Sequence, residues 1–306
     1  MNIQKLQGLI AAPFTPMNED GSLNLSLVKE YYQMLKRNAV IGAFIAGSTG
    51  EGVSLSLDEK KQVAEAWAQA TKDDKDFKVI ILVGGTCLTD CIDLAQHAKS
   101  VGLYAIAFTA PFYFKPPSVA ALAECCKQIA DVVPDMPFYY YHIPVLTGVG
   151  FAMYDLLREI DGNVDNFAGV KYTHEDFMDF LSCMSFRDGY YDMLWGRDEN
   201  MLSALILGSK GAVGSTYNYA APLYHELIAA YEKGDFPAAR KLQQQAIDMI
   251  RLLGKYGGIA TGKAYMKLIG IECGGFRLPV KNMSAAQFEL FKKDAESVVL
   301  DNFKSV

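Results

Sequence analysis

Eight short apolar segments recur along the first 217 residues, and they constrain the fold more than any other feature. They span 7–12, 42–47, 78–84, 104–110, 137–143, 167–172, 190–196 and 211–217. Each is strand-length, rich in β-formers and bounded by Gly, Pro or polar residues. Several are apolar throughout, which suits parallel strands covered on both faces. Between them lie stretches with helical periodicity. Residues 56–70 open on Ser56-Leu57-Asp58-Glu59, a capping-box pattern, and set Val63, Ala64, Trp67 and Ala68 on one face. Residues 89–101, 118–133, 151–160 and 198–208 read the same way. Eight strands alternating with helices predict an α/β fold, a (β/α)8 TIM barrel. An open doubly wound sheet is the competing reading, but it usually needs fewer strands and a Gly-rich first turn. Here that turn is Pro13-Phe14-Thr15-Pro16, which cradles no pyrophosphate. The last strand ends near 217, and helices are predicted over 222–233, 235–254, 260–269 and 284–302. Ser284-Ala285-Ala286-Gln287 forms a second capping-box start. The expected organisation is a single domain over 1–306, with the barrel over about 6–235 and a C-terminal helical extension over about 236–306.

With 51% apolar residues in a chain of 306, a well-buried core is not in question. Lys plus Arg number 29 against 35 for Asp plus Glu, a formal charge of −6. That balance lacks the basic footprint of a nucleic-acid or anionic-membrane binder, while a local site for a small anion stays compatible with it. The six cysteines include no C-x-x-C pair; Cys87-x-x-x-Cys91 with His97 lacks the spacing of a zinc site, and none of the four histidines forms an H-x-x-x-H pair. The thiols read as small core residues in a reducing cytosol, and no metal is expected. The apolar run from Gly8 to Ala12 is stopped by Pro13, too soon for a secretory segment, and no run reaches membrane-spanning length. A soluble, cytoplasmic protein is expected.

In a barrel of this kind the reactive groups gather at the C-terminal ends of the strands. Strand two ends in Gly47-Ser48-Thr49-Gly50-Glu51-Gly52, strand four near Tyr113, strand five at Tyr141 and strand six at Lys171. Strand seven ends at Gly196-Arg197-Asp198-Glu199 and strand eight at Gly214-Ser215-Thr216-Tyr217-Asn218. Lys171 follows the apolar run Phe167-Ala168-Gly169-Val170. It is either an amine held in a partly dry interior, where burial favours the neutral form needed for an imine, or a lysine that closes the strand and reaches solvent. Tyr139, Tyr140 and Tyr141 alternate in direction, so Tyr141 faces the barrel interior either as a proton shuttle or as a core tyrosine. The Gly47–Gly52 loop offers N–H and O–H donors to an anion, or it is a tight turn that needs positive φ. Asp198 and Glu199 bind hydroxyls of a substrate, or they are first-turn acids favoured by a helix dipole.

Three other features compete. Lys115, between Phe114 and Pro116, sits in a loop that reads as exposed. Gly257-x-x-x-x-Gly262-Lys263 matches most of a P-loop, but Ala264 replaces the magnesium-binding hydroxyl and no strand precedes it, so it reads as a loop and helix start. Gly208-Ser209-Lys210-Gly211, between strands seven and eight, offers weak support for a phosphosugar site.

Taken together, Gly47-Ser48-Thr49-Gly50-Glu51, Tyr141-His142-Ile143-Pro144 and Gly169-Val170-Lys171 resemble the pyruvate-dependent class I aldolase barrels, the dihydrodipicolinate synthase and N-acetylneuraminate lyase family, from about residue 6 to the C-terminal helices. The synthase branch usually carries an Arg shortly after its Tyr-Asn-x-Pro segment. None follows Tyr141 up to Gly148, and the Asp198-Glu199 acids with the Ser215 segment are similar to the sialic acid branch. The resemblance implies reversible retro-aldol cleavage of N-acetylneuraminate to N-acetylmannosamine and pyruvate. It implies a Schiff base on Lys171, Tyr141 as the proton acceptor for the sugar C4 hydroxyl, and Ser48 and Thr49 on the pyruvyl carboxylate. It assigns Thr173, Gly196, Asp198, Glu199 and Ser215 to the sugar's polyhydroxyl tail, and Tyr113 to a hydroxyl relay reached across a subunit interface. It implies no cofactor and no metal, because the iminium is the electron sink, and a homotetramer. His142 stands where Asn is common, Arg197 sits beside the acids, and the loop Gly257-Gly258-Ile259 offers few polar groups, so the accepted sialic acid variants stay open. A 2-keto-3-deoxy sugar acid aldolase of the same family is the alternative enzyme. A non-catalytic sialic acid or pyruvate sensor is the alternative of another class, although such a protein needs no imine-forming amine.

Overall fold

The eight predicted strands form, each within the segment expected, and close on one another. In the computed structural model, which describes residues 3–298 and 303–306, they are β1 (Gly8–Ala11), β2 (Gly42–Ile45), β3 (Lys78–Leu82), β4 (Ala105–Phe108), β5 (Phe138–His142), β6 (Phe167–Tyr172), β7 (Asp192–Trp195) and β8 (Gly211–Gly214). They follow chain order around a closed parallel barrel, with β8 pairing β1 over Gly8↔Gly211 to Ala11↔Gly214. Most are shorter than the apolar segments, because the last residues of each segment turn out of the ladder into the loops that carry candidate chemistry.

The helices are α1 (Val28–Arg37), α2 (Leu57–Thr71), α3 (Leu88–Ser100), α4 (Val119–Ala130), α5 (Pro144–Thr147), α6 (Met153–Ile160), α7 (Phe177–Ser185), α8 (Met201–Ile206), α9 (Tyr217–Glu232), α10 (Phe236–Lys255), α11 (Ala260–Leu268) and α12 (Ala285–Val298). Three of these, α1, α5 and α7, were not among the predicted helices. For α1 the signal was present: Val28, Tyr31, Met34 and Leu35 fall on one buried face. Helix α8 is shorter than the predicted 198–208, since Asp198–Asn200 form a 3-10 turn ahead of it. Helix α9 starts five residues before the predicted 222. Its backbone leaves helical angles at Ala220, ahead of Pro222, whose ring would otherwise press on the preceding turn. Both capping boxes form: the Glu59 N–H donates to Ser56 Oγ at 3.2 Å, and the Gln287 N–H donates to Ser284 Oγ at 3.3 Å. Residues 299–302 of the helix predicted over 284–302 lie outside the described residues.

Two cores result. The inner one fills the barrel with alternate strand residues, among them Ile10, Phe44, Ile80, Tyr139, Tyr141 and Leu194. The outer one lies between strands and helices and takes Tyr140 and Tyr172. This is the alternation that an extended strand imposes. The C-terminal helices pack onto the barrel through its first loops. The Met17 N–H donates to Cys273 O at 3.0 Å, and Phe14 meets Phe276 edge-on with ring centroids 6.2 Å apart.

One expectation is corrected. Gly208-Ser209-Lys210-Gly211 leads into β8, so it lies at the N-terminal face, opposite the βα-loops where such barrels hold phosphate. Ser209 is buried, and its hydroxyl donates to Gly211 O at 3.1 Å. Among the described residues, no helix is long and apolar enough to cross a membrane.

Candidate active site

Register brings the first two candidates together. Tyr141 of β5 pairs with Lys171 of β6, and Lys171 with Leu194 of β7. Partners in a parallel ladder point the same way, so both side chains enter the barrel mouth, while their neighbours His142 and Tyr172 face outward with rings 5.1 Å apart. Lys171 is only 4% exposed. Its Nζ lies 4.0 Å from the Phe44 ring centre and 3.9 Å from that of Tyr141. Burial pushes the amine down to about 7, with the negative charge of Asp198 opposing the shift. The alternative of a lysine reaching solvent is therefore excluded. Tyr141 meets Phe44 edge-on at 5.4 Å. Burial raises its phenol above the usual range, and the Ser48 and Thr173 hydroxyls counter that by favouring the phenolate.

The loop after β2 is tight, but not in the way the glycines imply. Positive φ falls on Ala46 and Glu51, at 52° and 57°, and on none of Gly47, Gly50 or Gly52. Gly52 is needed for proximity: a Cβ there would stand 1.9 Å from Ala46 O. The Thr15 hydroxyl donates to Gly50 O at 2.6 Å and ties the first loop to the second. Thr49 is buried and Ser48 half-buried. Glu51 carries an unforeseen partner. Lys263 of α11 donates to Glu51 Oε1 at 2.8 Å and to Gly275 O at 2.7 Å, and the Arg277 N–H donates to Glu51 Oε2 at 2.9 Å. The lysine of the P-loop-like run is thus committed to a carboxylate within the chain.

The third part of the site lies across β7 and β8. Asp198 is buried. Its Oδ2 accepts from the Thr216 N–H at 3.0 Å and from the Thr216 hydroxyl at 2.6 Å. Burial pushes the carboxyl up to about 6, and the Thr216 bonds oppose this. Gly214 makes the approach possible, since a Cβ there would stand 1.9 Å from Asp198 Oδ1. The carboxylate crosses to the β8 loop instead of capping its own turn, so a first-turn role does not account for it. Gly196 lets the end of β7 close on Thr173, whose Oγ1 a Cβ would meet at 2.0 Å. Asp198 Oδ1 and Thr173 Oγ1 are buried beside the Tyr217 and Tyr141 hydroxyls and keep hydrogen-bonding capacity for a polar ligand. Glu199 is paired with Arg197 at 2.7 Å, and the same guanidinium holds Glu175 at 3.0 Å. Ser215 is half-buried between Gly214 and Thr216, and its carbonyl accepts from Asn218 Nδ2 at 2.8 Å.

Tyr113 stands 77% exposed with its ring edge-on to Phe114, while Tyr141 is buried. Lys115 is exposed as well. Sequence reasoning missed Phe44, which alternation along β2 points inward, and the Glu51–Lys263 pair, for which a separation of 212 residues leaves no local signal. Among the described residues, no three His, Cys, Asp or Glu side chains converge on a metal site.

Comparison with known proteins agrees with this geometry. The chain is 42% identical over 285 residues to N-acetylneuraminate lyase of Homo sapiens, covering 92% of this chain and 89% of that one. It is 39% identical to N-acetylneuraminate lyase of Mus musculus over 306 residues, 99% and 95% of the two chains. The solved structure of Proteus mirabilis N-acetylneuraminate lyase superposes with a TM-score of 0.94 at 37% identity, covering 97% of this chain and all of that one, 100%. The dihydrodipicolinate synthetase family model matches residues 5–297. A closed parallel barrel with a buried lysine at the end of its sixth strand, matched over nearly its whole length, makes this chain a member of the dihydrodipicolinate synthetase family.

Proposed function

We propose that this chain is a Schiff-base lyase that cleaves N-acetylneuraminate reversibly to N-acetylmannosamine and pyruvate. The observation that carries the reading is the Lys171 amine, buried between two aromatic rings at a strand end and held near a pKa of about 7. A large share of the amine is then neutral and nucleophilic at neutral pH. It attacks the keto carbon of the open-chain sugar acid, and loss of water leaves an iminium on Nζ. Ser48 and Thr49 hold the carboxylate. Tyr141 relays the proton of the C4 hydroxyl as the C3–C4 bond breaks, giving up its own hydroxyl proton, which ends on C3 of the enamine, while the bond's electron pair moves into the iminium. Protonation of the enamine and hydrolysis release pyruvate. The electron sink is covalent, so the reading calls for no metal and no cofactor. Thr173, Gly196, Asp198, Glu199 and Ser215 receive the polyhydroxyl tail. The buried oxygens of Asp198 and Thr173, with hydrogen-bonding capacity to spare, support that assignment.

The reading includes a homotetramer in which Tyr113 reaches a neighbouring subunit's relay. Tyr113 and Phe114 are 77% and 86% exposed on one loop at the mouth, a placement that makes little sense in a lone chain. Barrel and C-terminal helices act as one domain, since Lys263 and Arg277 brace Glu51. A cytoplasmic, small-molecule enzyme with no nucleic-acid or membrane partner fits the acidic charge balance.

Borohydride trapping with peptide mass spectrometry tests the reading, with N-acetylneuraminate and pyruvate in parallel. The expected result is a reduced pyruvyl adduct on Lys171 in both samples, with free N-acetylmannosamine in the first. An adduct with pyruvate alone would keep the family chemistry and discard the substrate, directing the search to 2-keto-3-deoxy sugar acids. No adduct on Lys171 in either would overturn the mechanism in favour of a binding protein.

A further inference from the structure

We propose that the buried Lys263–Glu51 pair positions the Ser48–Thr49 loop for the substrate carboxylate, so that the C-terminal helices take part in substrate binding. The proposal rests on the carboxylate role given above to Ser48 and Thr49. Both side chains of the pair are only 3% exposed. A buried ion pair does little for stability relative to an apolar pair of the same volume, and its best-attested use is to fix register. The backbone agrees. Glu51 sits at φ 57°, ψ 26°, the left-handed region that glycine occupies without penalty. A glutamate held there points to its side chain as the useful part.

The connection to the loop is short. The Glu51 N–H donates to Ser48 O at 3.2 Å, and the Gly52 N–H to Gly47 O at 3.0 Å, so displacing Glu51 displaces the residues that present the hydroxyls. Glu51 is held from the other side at both oxygens, by Lys263 Nζ and by the Arg277 N–H. Arg277 is anchored in turn on Glu59 of α2, with Nη1 2.8 Å from Oε2. The same helix that carries Lys263 presses on the first loop: Gly262 lies so close to Phe14 that a Cβ would stand 2.2 Å from the ring, and Thr15 next to Phe14 bonds Gly50. Lys263 is not a second nucleophile, because its ammonium is committed to two acceptors. Lys263 and Glu51 are therefore positioning residues.

The test compares half-saturating pyruvate for borohydride-trapped adduct formation with the maximal rate of trapping, in the unmutated chain and in three variants. Lys263→Met is expected to raise half-saturating pyruvate by about tenfold or more, the loss of one well-placed bond to a charged group, with the maximal rate within about threefold. Lys263→Arg, which keeps the pair, is expected to stay within about threefold on both. Glu51→Gln, which keeps the shape and weakens the attraction, is expected to fall between them and carries the test if Lys263→Met does not fold. A folded Lys263→Met or Glu51→Gln chain with unchanged half-saturation would reduce the pair to a structural element and overturn the proposal. An equal fall in maximal rate with no change in half-saturation would overturn it too. No adduct in the unmutated chain would instead remove the Schiff-base reading beneath it.

Discussion

Lys171 and Lys263 are each 4% exposed, and they sit in two regions that use burial in opposite ways. In the barrel mouth Lys171 faces the rings of Phe44 and Tyr141, with no carboxylate in an ion pair with it among the described residues. At the junction with the C-terminal helices Lys263 meets Glu51 at 2.8 Å and a backbone carbonyl at 2.7 Å. Burial pushes both amines down, but at Lys263 the carboxylate opposes it, whereas at Lys171 only the more distant charge of Asp198 does. Burial alone does not make a reactive amine. What matters is how far the surrounding groups stabilise the cation, and two ring faces do so less than a carboxylate and a carbonyl at hydrogen-bond distance.

Removing Lys171 is expected to break the comparison most completely. Lys171→Met should abolish turnover and pyruvate trapping, read by coupled assay and mass spectrometry, and should leave a folded chain, since an apolar side chain suits the Phe44 and Tyr141 rings it faces. Lys263→Met should act on the other quantity. It leaves the buried Glu51 carboxylate without its cation, held by the Arg277 N–H alone, and should lower stability in urea by about 3 kcal/mol. If the two variants exchanged these outcomes, the division of labour between the lysines would be wrong.

Tyr141→Phe sharpens the mouth side. The phenol is assigned a proton-transfer role, so cleavage should slow by about 10²–10⁴-fold while imine formation with pyruvate persists. Loss of the adduct in that variant would mean the hydroxyl also acts before the carbon–carbon step. The pH dependence follows from the low pKa of Lys171. Trapping at subsaturating pyruvate should accelerate as pH rises through about 7, as the neutral amine becomes the main form. The stability effect has the same sign. The folded-state pKa lies below that of an unfolded lysine, so the unfolded chain binds more protons across the window from about 7 to about 10.4. Stability tied to this group is complete above the upper limit and is lost as pH falls toward about 7. Lys171→Met should therefore gain on the unmutated chain over that descent, in denaturant melts. The smallest expected effect is at the far end of the site. Gly214→Ala pushes into Asp198 and should raise the sugar's KM by about tenfold while pyruvate trapping is unchanged. A parallel loss of trapping would show that the two halves of the site are not separable.

The legible part of the fold followed from periodicity. Strand β6 appears where the run Phe167 to Tyr172 placed it, and the other seven strands fall within their apolar segments, because two-sided burial demands apolar residues at every position. Helix α9 was misplaced at its start because Pro222 reads as a helix beginning, whereas a local break at Ala220 lets the helix begin earlier. The strand-end rule brought Lys171, Tyr141, Ser48, Thr49 and Asp198 forward as candidates. It also brought forward Tyr113, which is exposed on its loop in the single chain and whose role rests on the proposed neighbour.

The sequence by itself determined the barrel, the order of its strands and the loops where chemistry would lie. Each of these depends on alternation and on residues close together along the chain. Tertiary structure alone decided the state of each group. That Lys171 is buried, that Asp198 reaches Thr216 through the space left at Gly214, and that Lys263 is occupied by Glu51 all depend on residues brought together across the barrel. A lysine's pKa is set by what surrounds it within a few ångströms, and chain order does not carry that information.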